Sequence, residues 1–265
     1  MAGEKPDVQV TGLVRSREHV EVLRRSGFDA FLCDITDNRS IGKTLASDFQ
    51  AVINCAGITK ARATESIETI RVNSLAPHLL AQACMKYNVR LIHISTDCVF
   101  SGHRGNYAEE DTPDPVDLYG RSKLLGEVID RLSLTVRTSF IGREVGTRHG
   151  LVEWLLTQTG RVQGYCRAFW SGLTAPALAR VLLELTRHPD INGLLHVAGE
   201  TVDKYTLLCL LKEAFDKNDV EIEMMEEPVI DRSLSARRFQ TLGLKLPSLH
   251  EMIKELAGQS LNPNK

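Results

Sequence analysis

The stretch "ISTDCVFSG", Ile94 to Gly102, closes the apolar run "VRLIHIST" and is followed by "LYGRSKLLGEVIDRL", Leu118 to Leu132. A short Val/Ile/Leu run that stops at hydroxyls and a carboxylate reads as a strand buried on both faces. The segment after it has helical spacing. In an open α/β sheet, ligands sit beyond the carboxyl ends of the strands, so polar residues at such an end are candidates for chemistry.

Upstream the same rhythm repeats. "VQVTGLV" reads as a strand and "REHVEVLRRSG" as a helix ended by Gly27. "DAFLCD" is a strand, "RSIGKTLASDF" a helix, and "AVINCAG" a strand that stops at Gly57. "IETIRVNSLAPHLLAQACMKYN" predicts one long helix, bent at Pro77. "LTVRTSFIG" is again a strand. Strands alternating with helices predict right-handed βαβ units: an α/β, doubly wound, Rossmann-like parallel sheet.

From about Gly150 the rhythm changes. "HGLVEWLLTQTG", "APALARVLLELTRH" and "TLLCLLKEAF" predict helices, "GLLHVAG" a strand, and "SLHEMIKELAG" a last helix. The expected division is a Rossmann-like dinucleotide-binding domain over residues 1–149 and, over residues 150–265, mainly a small C-terminal substrate lobe. A cleft between two such parts is a usual ligand site.

Composition bounds the function. The chain has 265 residues, 43% of them hydrophobic, and a net charge of -2. That balance gives no electrostatic footprint for nucleic acid or an anionic membrane, so neither is expected as a partner. The six cysteines form no C-x-x-C pair, which points to reduced thiols. "MAGEKPDVQV" contains no apolar leader and no run is long enough to span a bilayer, so cytoplasm is the expected location. No metal is expected.

Tyr119 and Lys123 lie one helical turn apart. An ammonium at that spacing favours the ionised phenol and lowers its pKa from about 10. Such a tyrosine can give a proton to a carbonyl oxygen. Taken alone, a Y-x-x-x-K pair reads as plain helix surface. Thr96 can bond the same oxygen and Asp97 can accept from a hydroxyl; a capped polar turn is the alternative. Ala56 and Gly57 let a flat ligand approach the backbone, or simply let a helix pack close. Asp34 reads as a partner for an adenine amine or as a helix cap.

In combination, "CDITD", "INCAG", "VNSLAP", "ISTDCVFSG", "LYGRSK", "VRTSFIGRE" and "FWSGLT" resemble the extended short-chain dehydrogenase/reductases, in their sugar-nucleotide reductase branch typified by dTDP-4-dehydrorhamnose reductase. The resemblance runs from about Val8 to about Ile253. It implies reduction of a 4-keto nucleotide sugar by NADP(H) or NAD(H). Thr96, Tyr119 and Lys123 match the catalytic positions, with Tyr119 as proton donor and Lys123 also holding the nicotinamide ribose. Asp34 and Ile35 match positions beside the adenine, Ala56 and Gly57 positions along the cofactor, and Thr138 and Ser139 the segment beside the nicotinamide amide. Asp97, Val99, Phe169 and Trp170 fall where the sugar and base lie, with a core aromatic as the other reading of Trp170. A homodimer is compatible with such a chain.

The sequence departs from that family at its start. The family opens with a strand, a glycine-rich turn and a helix; here only "MAGEKPD" precedes "VQVTGLVRSREHVEVLRRSGFDAFLCDITD", which matches the family's second strand, second helix and third strand. The turn normally presents backbone N–H groups and a helix N-terminus to a pyrophosphate, so a weakly bound cofactor is expected. A non-catalytic sugar-nucleotide-binding or regulatory subunit is the alternative function. "VQVTGLV" standing in the first-strand place, a truncated start and a shorter gene product all remain open. Arg15, at the end of "VTGLV", is placed to meet a 2′-phosphate or to begin a solvated helix.

Overall fold

The computed structural model describes residues 8–144 and 150–259. β1 (Thr11–Val14) leads through α1 (Arg17–Arg25) to β2 (Asp29–Leu32), and α2 (Asn38–Leu45) leads to β3 (Ala51–Asn54). Ser16 caps α1 by accepting the His19 amide, and Asp37 caps α2 by accepting the Arg39 amide. Then come α3 (Ser66–Ile70), α4 (Ala76–Tyr87), β4 (Arg90–Ile94), α5 (Leu118–Leu125) and β5 (Ser133–Arg137). Beyond β5 lie β6 (Phe140–Ile141), α6 (Leu151–Thr157), β7 (Gly160–Tyr165), β8 (Ala168–Trp170) and β9 (Leu173–Thr174). α7 (Ala175–Thr186), β10 (Gly193–His196), β11 (Val202–Asp203), α8 (Lys204–Ala214), β12 (Val220–Met225), β13 (Ile230–Asp231), α9 (Arg237–Thr241) and α10 (Leu249–Ala257) complete the order.

The main sheet has four parallel strands in the order β10-β5-β4-β3. Alternate side chains of β4 serve two cores. Ile92 packs with Leu134, Val136, Leu182 and Leu207, under α7 and α8. Leu91 packs with Val52, Ile41, Leu45 and Leu80, under α2 and α4. Residues after 150 therefore supply β10 and half of the main core as well as the lobe. The boundary expected at 149/150 adjoins residues 145–149, which lie outside the described residues.

β1 and β2 form a separate two-stranded parallel sheet. "VQVTGLV" has thus not taken the first-strand place: β1 pairs with β2, not with β3. β3 is an edge strand among the described residues. The detached pair leaves apolar surface open, with Phe31 and Leu32 48% and 51% exposed. The unpaired edge of β3 and the open apolar side chains of the detached pair lie where a strand pairing with both would cover them.

Two helices differ from expectation. The long helix after β3 is broken by a π-helical turn, Arg71–Leu75, one turn before Pro77. Proline has no N–H for the Asn73 carbonyl, so the ladder widens there rather than at Pro77 itself. α5 stops at Leu125 instead of running to Leu132. Gly126 packs against the Asn73 carbonyl, where a Cβ would overlap it. The chain then leaves the helix so that the Glu127 carboxylate meets Arg137, at 2.8 Å from both Nε and Nη2, in a buried ion pair.

Candidate active site

The carboxyl end of β4 opens into a tight turn, Asp97–Val99, capped by Thr96, whose Oγ1 accepts the Cys98 amide at 3.2 Å. The turn is tied to the next strand end by the Asp97 amide, which donates to the Thr138 carbonyl. α5 docks directly on it: a Cβ at Gly120 would overlap the Cys98 carbonyl. Asp117 caps α5 through the Gly120 amide at 2.8 Å and pairs with Lys60 at 2.8 Å. This packing brings the half-buried Tyr119 phenol to the Thr96 hydroxyl.

Lys123 is buried, 5% exposed, and its Nζ donates to the Ile94 carbonyl at 2.6 Å. Burial lowers its pKa to about 8, with Glu127 and then Cys55 pulling it back up. The expected effect on Tyr119 is corrected. Burial pushes the phenol's pKa well up, opposed by the Thr96 hydrogen bond, while Cys98, Asp97 and Asp117 add to the rise. The lysine acts on the Ile94 carbonyl and its own acidic neighbours instead of on the phenol.

Asn73 had no role in the sequence reading and proves central. Its Oδ1 accepts the Ile58 amide at 2.7 Å, and its Nδ2 donates to the Ile58 carbonyl and to Ser122 Oγ. It fixes the loop after β3 to α5, one face away from Lys123. The signal was available: an amide inside an otherwise apolar helical run, "VNSLA". On β3, Asn54 Oδ1 accepts the Ala56 amide, while its Nδ2 meets His93 Nδ1 at 3.0 Å. A Cβ on Gly57 would lie 3.4 Å from Asn73 Oδ1 and 4.0 Å from Lys123 Nζ, so glycine keeps that surface open beside the ammonium.

Arg15 and Asp34 are exposed at the ends of β1 and β2, and Ile35 is half-buried. Asp34 accepts both the Thr36 amide and the Thr36 hydroxyl at 2.8 Å. Those bonds hold its carboxyl below the usual range, helped by the guanidiniums of Arg15 and Arg71. Asp37, not Asp34, caps α2.

On the lobe side the structure corrects two residues. Val99 is fully buried with Phe100, Tyr107 and Leu234, so its side chain cannot reach a ligand. Trp170 is 3% exposed and belongs to the core; its Nε1 donates to Ser139 Oγ at 2.9 Å. Ser139 is thereby engaged by the core, and the Thr138 hydroxyl is turned to the Ser139 carbonyl at 3.3 Å. Phe169 remains exposed on β8. The sheet β11-β8-β13 carries, at its margins, Lys204 and Arg232, whose charges both bear on Asp97. Burial raises the Asp97 pKa against the Thr96 hydrogen bond and those two cations.

Residues 6–240 match the model of the RmlD substrate binding domain family. The chain belongs to that family. It is 32% identical to dTDP-4-dehydrorhamnose reductase of Mycobacterium tuberculosis over 192 residues, 64% of this chain and 60% of that protein. It is 28% identical to methionine adenosyltransferase 2 subunit beta of Xenopus laevis over 210 residues, 71% of this chain and 62% of that protein. The crystal structure of a Bacillus anthracis dTDP-4-dehydrorhamnose reductase in complex with NADP shares the fold, with a TM-score of 0.76 at 18% identity over 94% of this chain and 99% of that one. The chain spans about 60% of the length of the first curated relatives it matches. Among the described residues of this RmlD-family chain, no helix is long and apolar enough to cross a membrane.

Proposed function

We propose that the protein reduces the 4-keto group of a nucleotide-linked sugar, with NADPH or NADH as the weakly held hydride source. The observation that carries this reading is the meeting of the Thr96 hydroxyl and the Tyr119 phenol on the turn that closes β4, with the Lys123 ammonium buried beside Gly57.

These residues fit the nicotinamide–ribose half of such a cofactor. The open surface at Gly57 admits a flat group next to Lys123 Nζ, and Tyr119 and Lys123 are the residues that would hold the ribose. When bound, the cofactor supplies the hydride that becomes the new C–H bond. Tyr119 gives the proton that turns the keto oxygen into a hydroxyl, and Thr96 polarises that oxygen. Asp97 accepts a sugar hydroxyl. The phosphate half is poorly served: near Asp34 stand two arginine side chains, Arg15 and Arg71, and the sequence offers no glycine-rich turn of backbone donors.

The detached β1–β2 pair favours a second reading, a sugar-nucleotide-binding or regulatory subunit without turnover. One relative is itself named as a subunit, the beta subunit of a methionine adenosyltransferase. NADPH oxidation with dTDP-4-dehydrorhamnose, at millimolar NADPH, separates the two. Turnover supports the reductase; sugar-nucleotide binding without turnover supports the subunit.

A further inference from the structure

Thr96 has a single hydroxyl proton, and it donates that proton to Asp97 Oδ1 at 3.0 Å while accepting the Cys98 amide. A threonine bonded in this way can accept from Tyr119 but has no proton left for a keto oxygen. If the reductase reading holds, another donor must take its place on Asp97 when the sugar arrives. A sugar hydroxyl is such a donor, provided that Asp97 stays an ionised acceptor. A buried carboxyl tends to protonate instead, and then it becomes a donor itself.

The lobe places a cation against that outcome. Lys204 is the first residue of α8, a helix start fixed by Asp203, which accepts the Thr206 amide at 2.8 Å and the Thr206 hydroxyl at 2.7 Å. Its Nζ stands 5.5 Å from the centre of the Trp170 ring. Trp170 is in turn locked to Ser139. Asp97 is the acidic group that bears most on Lys204, against the burial that lowers the lysine's own pKa. The ammonium is thus held by a rigid platform, half-buried, with Asp97 as its principal anion.

We propose that Lys204 is a positioning residue: it keeps Asp97 a hydrogen-bond acceptor, so that a sugar hydroxyl can displace Thr96 from that carboxylate and free the threonine for the keto oxygen. This deepens the reductase reading and rests on it. The other groups that bear on Asp97 are Thr96 and Cys98 on its own turn and Arg232 after β13. Tyr119 faces it from α5, with Asp117 behind, and Lys60 acts on Cys98. Arg232 is anchored by its Nε, which donates to the Phe100 carbonyl at 2.9 Å, and of the two cations Lys204 acts the more strongly on Asp97.

The test uses the whole chain, calorimetry with dTDP-rhamnose and with dTDP, and the variants Lys204→Met, Lys204→Arg and Asp97→Asn. Lys204→Met should remove about tenfold of the advantage of dTDP-rhamnose over dTDP, the scale of a hydrogen bond to a charged group, with dTDP binding unchanged. Lys204→Arg should restore the advantage, and in an Asp97→Asn background Lys204→Met should change nothing further. Equal weakening of both ligands, or an unchanged ratio, overturns the proposal. If the wild type binds neither ligand, the sugar-nucleotide reading itself falls. The Asp97 carboxyl resonance then still decides the coupling: in Lys204→Met its titration should move up, and an unmoved midpoint overturns it.

Discussion

Lys123 Nζ donates to the carbonyl of Ile94, 2.6 Å away, at the residue that ends the central strand β4. The bond joins α5 to the mouth of the sheet and holds a cation under the surface that Gly57 leaves open. It also sets a pH dependence. The folded pKa is about 8 against an ordinary 10.5, so the buried charge costs stability at neutral pH. Above about pH 8 the folded state gives up this proton while the unfolded chain keeps it, and stability rises until about pH 10.5. Urea unfolding of wild type and Lys123→Met across pH 7–10.5 should show the difference shifting in favour of wild type by about 3 kcal/mol at most. A pH-independent difference would mean that the lysine is not buried as a charge.

Tyr119→Phe should lower kcat by about 10²–10⁴ in any form of the protein that turns over NADPH, the usual scale for losing a general acid. Its melting temperature should stay near that of wild type, because the half-buried ring is retained. Undiminished turnover would remove Tyr119 from the chemistry.

Gly126→Ala should destabilise the protein by about 2–3 kcal/mol, since the added methyl overlaps the Asn73 carbonyl, which is backbone and cannot rotate away. Chemical denaturation measures this directly. A neutral substitution would show that α5 does not pack on the π-helical turn as described.

Trp170→Ala should cost about 3–5 kcal/mol, as for other buried aromatic truncations. Trp170→Phe should cost less, about 1–3 kcal/mol, chiefly from leaving Ser139 without its donor. A stable Trp170→Ala variant that loses only sugar-nucleotide affinity would return Trp170 to the binding surface.

Particular residues show why some of this was legible in the sequence. The buried strands β3, β4 and β5 announce themselves because Val, Ile and Leu dominate runs that end in small or polar residues. Thr96 and Asp97 stood out because polar groups at such ends need a reason, and Tyr119 and Lys123 because they lie one helical turn apart just after them. Trp170 and Val99 did not reveal their burial, because an aromatic or a valine near a polar turn reads the same in or out of a core. Gly126 and Asn73 meet across the fold, so no local pattern gives the helix end. β7 and β12 pair in parallel although "GRVQGY" and "VEIEMM" are far apart in the chain, and the alternation of Val220 and Ile222 with glutamates in the second run is masked by the charged residues around it. The Glu127–Arg137 pair was hidden for the same reason: a helical pattern through Glu127 cannot show that burying its carboxylate against β5 is favoured over another turn of helix.

The most direct measurement is calorimetric titration of the chain with NADPH. Pyrophosphate in this fold is held by backbone donors and a helix N-terminus, and no such turn stands beside β3, whose outer edge is open among the described residues. Losing two charge-assisted hydrogen bonds weakens binding by about 3–6 kcal/mol, roughly 10²–10⁴-fold. From a micromolar starting point the dissociation constant should be about 10⁻⁴–10⁻² M. Fusing a strand, glycine-rich turn and helix ahead of β1 should recover tight binding. A dissociation constant in the low micromolar range for the chain alone would contradict the account, because some other segment would then have to cradle the phosphates.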